Sequence, residues 1–235
     1  AHEDVESSLG EGARRLESYT RGRTRHKCEA AGEAVRPRGD FGGGGTYLAL
    51  GMLAAILSAR GEQNPLASWD VNMMSFLNVL EASRLNGIEK VFFPSSIAVF
   101  GESAKLENTP NDTFLDPLTA YGISKAAGET WANYYYHKYG LDVRSLRYPG
   151  VIGYQSIPGG GTTDYAVEIY HSAVKKEPFN CFLKEDTTLP MIFMEDAIRA
   201  TLELMEAPKE KIKIRTSYNL AGTSFAPAEV AASIR

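Results

Sequence analysis

Three side chains have the types and spacing to do chemistry together: Ser96, Tyr121 and Lys125. Tyr121 and Lys125 stand four apart, the spacing that puts two side chains on one helix face. A tyrosine phenol ordinarily titrates near pH 10 and is a poor base at neutral pH. A lysine ammonium one turn away favours the phenolate, which predicts a lowered pKa. An oxidised nicotinamide, itself cationic, would lower it further. Such a tyrosine could accept a proton from an alcohol while hydride leaves the same carbon. Ser96 follows the apolar stretch 89–94 (EKVFFP). At the end of a strand, its hydroxyl could bind the alcohol or ketone oxygen. The Tyr-x-x-x-Lys pair alone also fits a solvated helix face. Its context is rarer: SSIAVFG after a strand, then a tyrosine 25 residues past Ser96, then the lysine.

These residues need elements to hold them. Asn64 and Pro65 read as a helix start, asparagine as cap and proline in the first turn. Leu66, Trp69, Met73, Phe76, Leu77 and Leu80 follow at helical spacing, and Gly87 closes the helix. Residues 89–94 predict a short buried strand. Residues 119–139 predict a long helix ended by Gly140, and 141–148 (LDVRSLRY) alternate as a strand. Helices are also expected over 163–176, 195–206 and 226–234, and a strand over 212–220. Strands and helices alternating with short links imply an α/β fold with a parallel sheet covered on both faces. Ligands of such sheets sit at the carboxyl ends of the strands.

Composition removes several other functions. The 235 residues are 43% hydrophobic and 23% charged, in the ordinary range for a globular protein. A net charge of −4 gives no basic footprint for nucleic acid. Cys28 and Cys181 make neither a disulfide framework nor a zinc spacing, so a reducing compartment and no metal site are expected. The longest apolar stretch, 47–59, has 13 residues, short of the roughly 18–20 that cross a membrane. Residues 1–45 differ in kind. They hold nine of the 22 glycines and seven arginines but no isoleucine or methionine, and they lack any regular period. They predict a disordered head. The glycines at 42–45 would cradle a phosphate only after a buried strand, and residues 36–40 (RPRGD) are not one. The aromatic cluster Trp131, Tyr134 and Tyr135 reads as packing or a subunit interface. His137 and His171 read as exposed. Arg147 and Arg199 are expected to pair with carboxylates, or Arg199 to lie near a nucleotide.

PSSIAVFG (94–101) followed by YGISK (121–125) resembles the extended short-chain dehydrogenase/reductases, which include NAD-dependent sugar-nucleotide epimerases and dehydratases. Several further blocks are similar to the short-chain L-threonine 3-dehydrogenases of that family. They are LAAILSARGEQNP (53–65), LRYPGVIGY (146–154), PGGGTTDYAVEIY (158–170), DTTLPMIFMEDAIRAT (186–201), LMEAP (204–208) and SYNLAGTSFAPAE (217–229). The 158–170 block is the most specific, since the sugar-nucleotide members do not carry it.

The resemblance implies a Rossmann-like, doubly wound parallel sheet over residues 46–235, incomplete at its amino end. A small substrate-binding part would be built mainly after residue 150. It implies oxidation of L-threonine to 2-amino-3-oxobutanoate with reduction of NAD. Tyr121 would be the general base, and Lys125 its electrostatic partner and a ribose ligand. Ser96 would orient the reacting oxygen. Leu53, Ala54, Asn72, Tyr148 and Val151 would lie along the cofactor. Ser58, Thr162 and Thr163 would hold the amino acid's carboxylate or amine. A homodimer is expected, in the cytoplasm for bacterial members and the mitochondrial matrix for animal ones. The chain also departs from the family pattern. Residues 1–45 lack the strand, G-x-x-G-x-x-G and helix that bind the pyrophosphate. Met52 stands where the family has histidine, and the sequence stops at Arg235 where the family continues. Weak NAD binding is therefore expected. An inactive or truncated homologue and a sugar-nucleotide epimerase are the alternatives.

Overall fold

The structure is a computed structural model and describes residues 61–105, 107–154 and 161–234. The readings at 1–45 and 47–59 lie outside the described residues. The first helix begins where expected: Asn64 accepts a hydrogen bond from the Ala67 amide at 3.1 Å, with Pro65 in the first turn. It runs through α1 (Pro65–Trp69), a wide π-helical turn (Asp70–Met74) and α2 (Ser75–Leu85). Gly87 follows with φ of +63°. Leu66 and Trp69, expected on the buried face, are exposed, whereas Ser68, Asn72, Met73, Phe76 and Leu80 are buried. The wide turn takes up an extra residue, so the period read from Leu66 does not carry into the core.

Strand β1 (Lys90–Ser96) leads through a short 3-10 turn and a long loop into α3 (Ala120–Tyr139). Thr119 caps α3 by accepting from the Gly122 amide, and Gly140 ends it in the left-handed region at φ +73°. Next come β2 (Asp142–Tyr148), β3 (Gly150–Ile152) and α4 (Tyr165–Lys175). The chain continues with β4 (Leu189–Phe193), α5 (Met194–Glu206), β5 (Tyr218–Asn219), β6 (Thr223–Phe225) and α6 (Pro227–Ile234).

The main sheet has the order β1-β2-β5 and is parallel throughout. Successive side chains of β1 go to opposite faces. Val91 and Phe93 join Phe76, Leu80, Ala132, Tyr135 and Val143 under α2 and α3. Phe92 joins Leu146 and Met205 on the α5 side. This is the expected α/β arrangement with helices on both faces. A second small sheet, β3-β4-β6, has an antiparallel β4–β6 pair that the sequence did not foretell.

The strand expected over 212–220 shrinks to Tyr218–Asn219. The amides of Lys213 and Ile214 donate to the Tyr218 hydroxyl instead of to a ladder, at 2.9 and 3.0 Å. Arg215 turns inward to Asp142 at 2.5 Å. Asp142 also holds Arg144, whose Nη1 donates to the carbonyls of Leu204, Met205 and Ala207 at the end of α5. Those carbonyls have no partner within the helix, and the arginine supplies one.

Close packing of α3 on the sheet depends on Gly128. A Cβ there would lie 2.3 Å from Phe93 Cζ, and the Phe93 ring is itself stacked on Phe76 with centroids 4.1 Å apart. Gly128→Ala should therefore destabilise the protein by about 1–3 kcal/mol despite its better helix propensity. Urea denaturation measures this; an unchanged or raised midpoint would contradict the packing.

Candidate active site

Ser96 is the last residue of β1, at the carboxyl end of the parallel sheet, and it starts the turn Ile97–Val99 by accepting from the Ala98 amide at 3.2 Å. Tyr121 is in the first turn of α3. A Cβ on Gly122 would fall 2.1 Å from the Ala98 carbonyl oxygen, so the bare glycine lets the helix start press on the turn after Ser96. The Ser96 side chain lies close enough to the Tyr121 phenol to lower its pKa. Lys125 lies one turn further, 6% exposed, with its ammonium 5.5 Å from the Tyr121 ring centre and 5.1 Å from that of Phe93. Its Nζ donates to the Pro94 carbonyl at 2.6 Å. The three residues singled out by spacing are thus brought together.

Their electrostatics differ from expectation in one respect. The Tyr121 pKa lies above the usual phenol value, not below it. Burial is the main cause, and the Ser96 side chain pulls the other way. Burial also lowers Lys125, to about 8. Removing water disfavours whichever form is charged, so it raises the phenol and lowers the ammonium.

Comparisons with known proteins agree with this geometry. The NAD dependent epimerase/dehydratase family matches residues 51–221. This chain belongs to that family. An uncharacterized epimerase/dehydratase of Staphylococcus haemolyticus is 46% identical over 183 residues, which is 78% of this chain and 57% of that protein. The holo form of a GalE-like L-threonine dehydrogenase from Cupriavidus necator is similar at 58% identity and a TM-score of 0.77, over 79% of this chain and 60% of that one. A monomeric L-threonine 3-dehydrogenase from a metagenome is similar at 48% identity and a TM-score of 0.76, over 78% and 59%. The chain therefore spans a little under two thirds of the length of these relatives.

In an epimerase/dehydratase-family protein the cofactor is NAD, and the described donors fit its nicotinamide end. Lys125 has three N–H groups, and among the described residues only the Pro94 carbonyl takes one. A buried ammonium with spare donors beside a phenol suits a diol such as ribose. Asn72 is buried in the π-helical turn, its Nδ2 donating to Ser124 Oγ at 3.3 Å, and Ser124 donates to the Tyr121 carbonyl at 2.7 Å.

Other expected residues lie elsewhere. The Tyr148 hydroxyl bonds to Thr201 of α5, and its ring meets Phe92 edge-on at 6.3 Å, so it packs on the α5 side of the sheet. Val151 is in β3, paired with Ile192. Thr162 and Thr163 precede α4; Thr162 is exposed, and Thr163 packs its side-chain carbons against Gly150. Leu53, Ala54 and Ser58 lie outside the described residues. His137 and His171 are exposed. Arg199 pairs with Asp196 and Glu203 on the surface of α5. Arg147 makes a buried two-pronged pair with Glu129. Sequence reasoning passed over Glu129, though Tyr121, Lys125 and Glu129 repeat at intervals of four and so share a helix face.

The lysine gives a test of the desolvated site. Folding lowers its pKa from 10.5 to about 8, so between those values the unfolded chain binds more protons and stability rises with pH. Below about 8 the penalty is fully present. The stability of the protein relative to Lys125→Met should climb between about pH 8 and 10, by roughly 1.4 kcal/mol per unit at most. Parallel stability profiles for the two proteins would show that the ammonium is not desolvated.

Proposed function

We propose that the protein is an NAD-dependent L-threonine 3-dehydrogenase, converting L-threonine to 2-amino-3-oxobutanoate. The observation that carries this reading is the convergence of Ser96, Tyr121 and the buried Lys125 at the carboxyl end of a parallel sheet. The substrate assignment is supported by 58% identity to the Cupriavidus necator enzyme. Ser96 orients the alcohol oxygen by hydrogen bonding. Tyr121 Oη takes the hydroxyl proton as the carbonyl forms. NAD, when bound, would supply the acceptor for the hydride that leaves the same carbon, and positive charge beside the phenol. The phenolate form is favoured by that charge and by the Lys125 ammonium, which together oppose the upward push of burial. Lys125 also offers its remaining N–H groups to the ribose. Asn72 supports the first turn of α3 through Ser124, beside the cofactor. Leu53 and Ala54 complete the cofactor contacts. Thr162, Thr163 and Ser58 hold the amino acid's charged groups. The domain runs over 46–235, and a cytoplasmic location goes with this reading.

Purified protein should form NADH with L-threonine, and Tyr121→Phe should lower kcat by roughly 10²–10⁴ while leaving the circular dichroism unchanged. Turnover of a UDP-sugar in place of L-threonine would favour the epimerase alternative. An absence of both activities, with no NAD binding by calorimetry, would favour the inactive homologue. Undiminished turnover by Tyr121→Phe would remove the tyrosine from its role as base.

The same reading includes a homodimer through α3. Ile123, Trp131, Tyr134 and Tyr139 of this helix are exposed, as are Trp69, Val71 and Met74 on the helix packed beside it. That much apolar surface on two adjoining helices is what a subunit interface covers. Light scattering should give twice the chain mass, and Trp131→Glu should give the monomer; a monomeric wild-type protein would overturn the dimer.

A further inference from the structure

We propose that Glu129 and Arg147, acting through Ser95, are positioning residues that set the separation of the Ser96 and Tyr121 hydroxyls. Three consecutive residues of β1 are each tied to one face of α3. The Pro94 carbonyl accepts from Lys125, Ser95 Oγ donates to Glu129 Oε1 at 2.6 Å, and the Ser96 side chain lies close to the Tyr121 phenol. The middle tie is the one that touches neither reacting group. Glu129 is 1% and Arg147 2% exposed. Arg147 fixes both carboxylate oxygens, Nε to Oε1 at 2.9 Å and Nη2 to Oε2 at 2.7 Å. Its remaining Nη1 donates to the Asn111 carbonyl and to Asn219 Oδ1, at 2.9 and 3.0 Å. Asn111 belongs to the loop that leaves the Ser96 turn and enters α3, and Asn219 belongs to β5. One guanidinium therefore locks the carboxylate, the loop and the neighbouring strand.

An ion pair this deeply buried is a costly way to gain stability, and apolar residues of similar volume commonly do as well. What the forked geometry supplies is direction. Glu129 can hold Ser95 in one place only, and the next residue along the strand is Ser96. A shift of about 1 Å in that residue is enough to cost a large factor in rate.

Ser95→Ala isolates the tie, because Glu129 keeps Arg147 and no buried charge is orphaned. The kinetic arm rests on the dehydrogenase reading. There, kcat should fall roughly tenfold with KM for L-threonine within about twofold, and Ser95→Thr should restore it. The second arm needs no turnover. Carbon-13 NMR of ring-labelled tyrosine, with the Tyr121 signal identified by its loss in Tyr121→Phe, should show Tyr121 titrating higher in Ser95→Ala, since the Ser96 hydroxyl that opposes its upward shift moves away from it. Glu129→Gln, if it folds, should behave alike. A folded Ser95→Ala with unchanged kcat and an unchanged Tyr121 titration would overturn the proposal, as would a lowered melting temperature with both unchanged. If the wild-type chain does not turn over at all, that outcome counts against the dehydrogenase reading, and the titration alone decides the positioning role.

Discussion

The first turn of α3 lies against the end of β1 at a distance that no side chain would tolerate. Ala98 offers its carbonyl oxygen where a Cβ of Gly122 would stand, and the Phe93 ring occupies the corresponding place at Gly128. Because these two positions are bare, the helix can approach the strand more closely than a Cβ at either would allow. The phenol of Tyr121 then reaches Ser96, and the ammonium of Lys125 reaches the strand backbone. Burial goes with this approach, and it pushes the phenol and the ammonium toward their neutral forms. In the proposed dehydrogenase, positive charge brought in with the cofactor would offset that push, so that Tyr121 would become a base only once the oxidant is in place.

Strand β2 carries the charge that the interior cannot leave unpaired. Odd-numbered residues face α3 and even-numbered ones face α5, yet nearly all are buried, as is usual for a parallel strand covered on both sides. Arg147 serves the α3 side at the carboxyl end, meeting Glu129. Arg144 serves the α5 side at the amino end, sharing Asp142 with Arg215 and closing the last turn of α5. The two arginines make different use of the same fork. One fixes a carboxylate behind the candidate catalytic residues, and the other fixes a helix terminus at the opposite end of the sheet.

Local signals were legible wherever the backbone itself demanded a residue type. Asn64, Thr119 and Gly140 marked helix ends that the structure has at those places, within a residue. The spacing of Tyr121 and Lys125, and the placement of Ser96 after an apolar strand, were enough to assemble the core of the site. What escaped notice depended on distant partners. The amides of Lys213 and Ile214 abandon a strand for the hydroxyl of Tyr218, and Arg215 leaves solvent for Asp142. Neither event has a signature within its own segment. The direction of the Tyr121 shift also lay out of reach, because spacing reveals a neighbouring charge but not the loss of water. Glu129 was the one missed residue with a readable sign, as the third member of a four-residue repeat.

The π-helical turn at Asp70–Met74 divides the first helix into two parts and offsets the face of one from that of the other. Each residue of a regular helix turns the chain by about 100°. Losing one residue inside the turn would close it into ordinary helix and swing Pro65–Trp69 by about that angle, while Phe76 and Leu80 stay anchored beneath α3. Insertions and deletions at this point are thus a hinge on which evolution can trade one outer surface, with Leu66 and Trp69 on it, for another. Ser68, buried in the present arrangement, would be carried round with that surface.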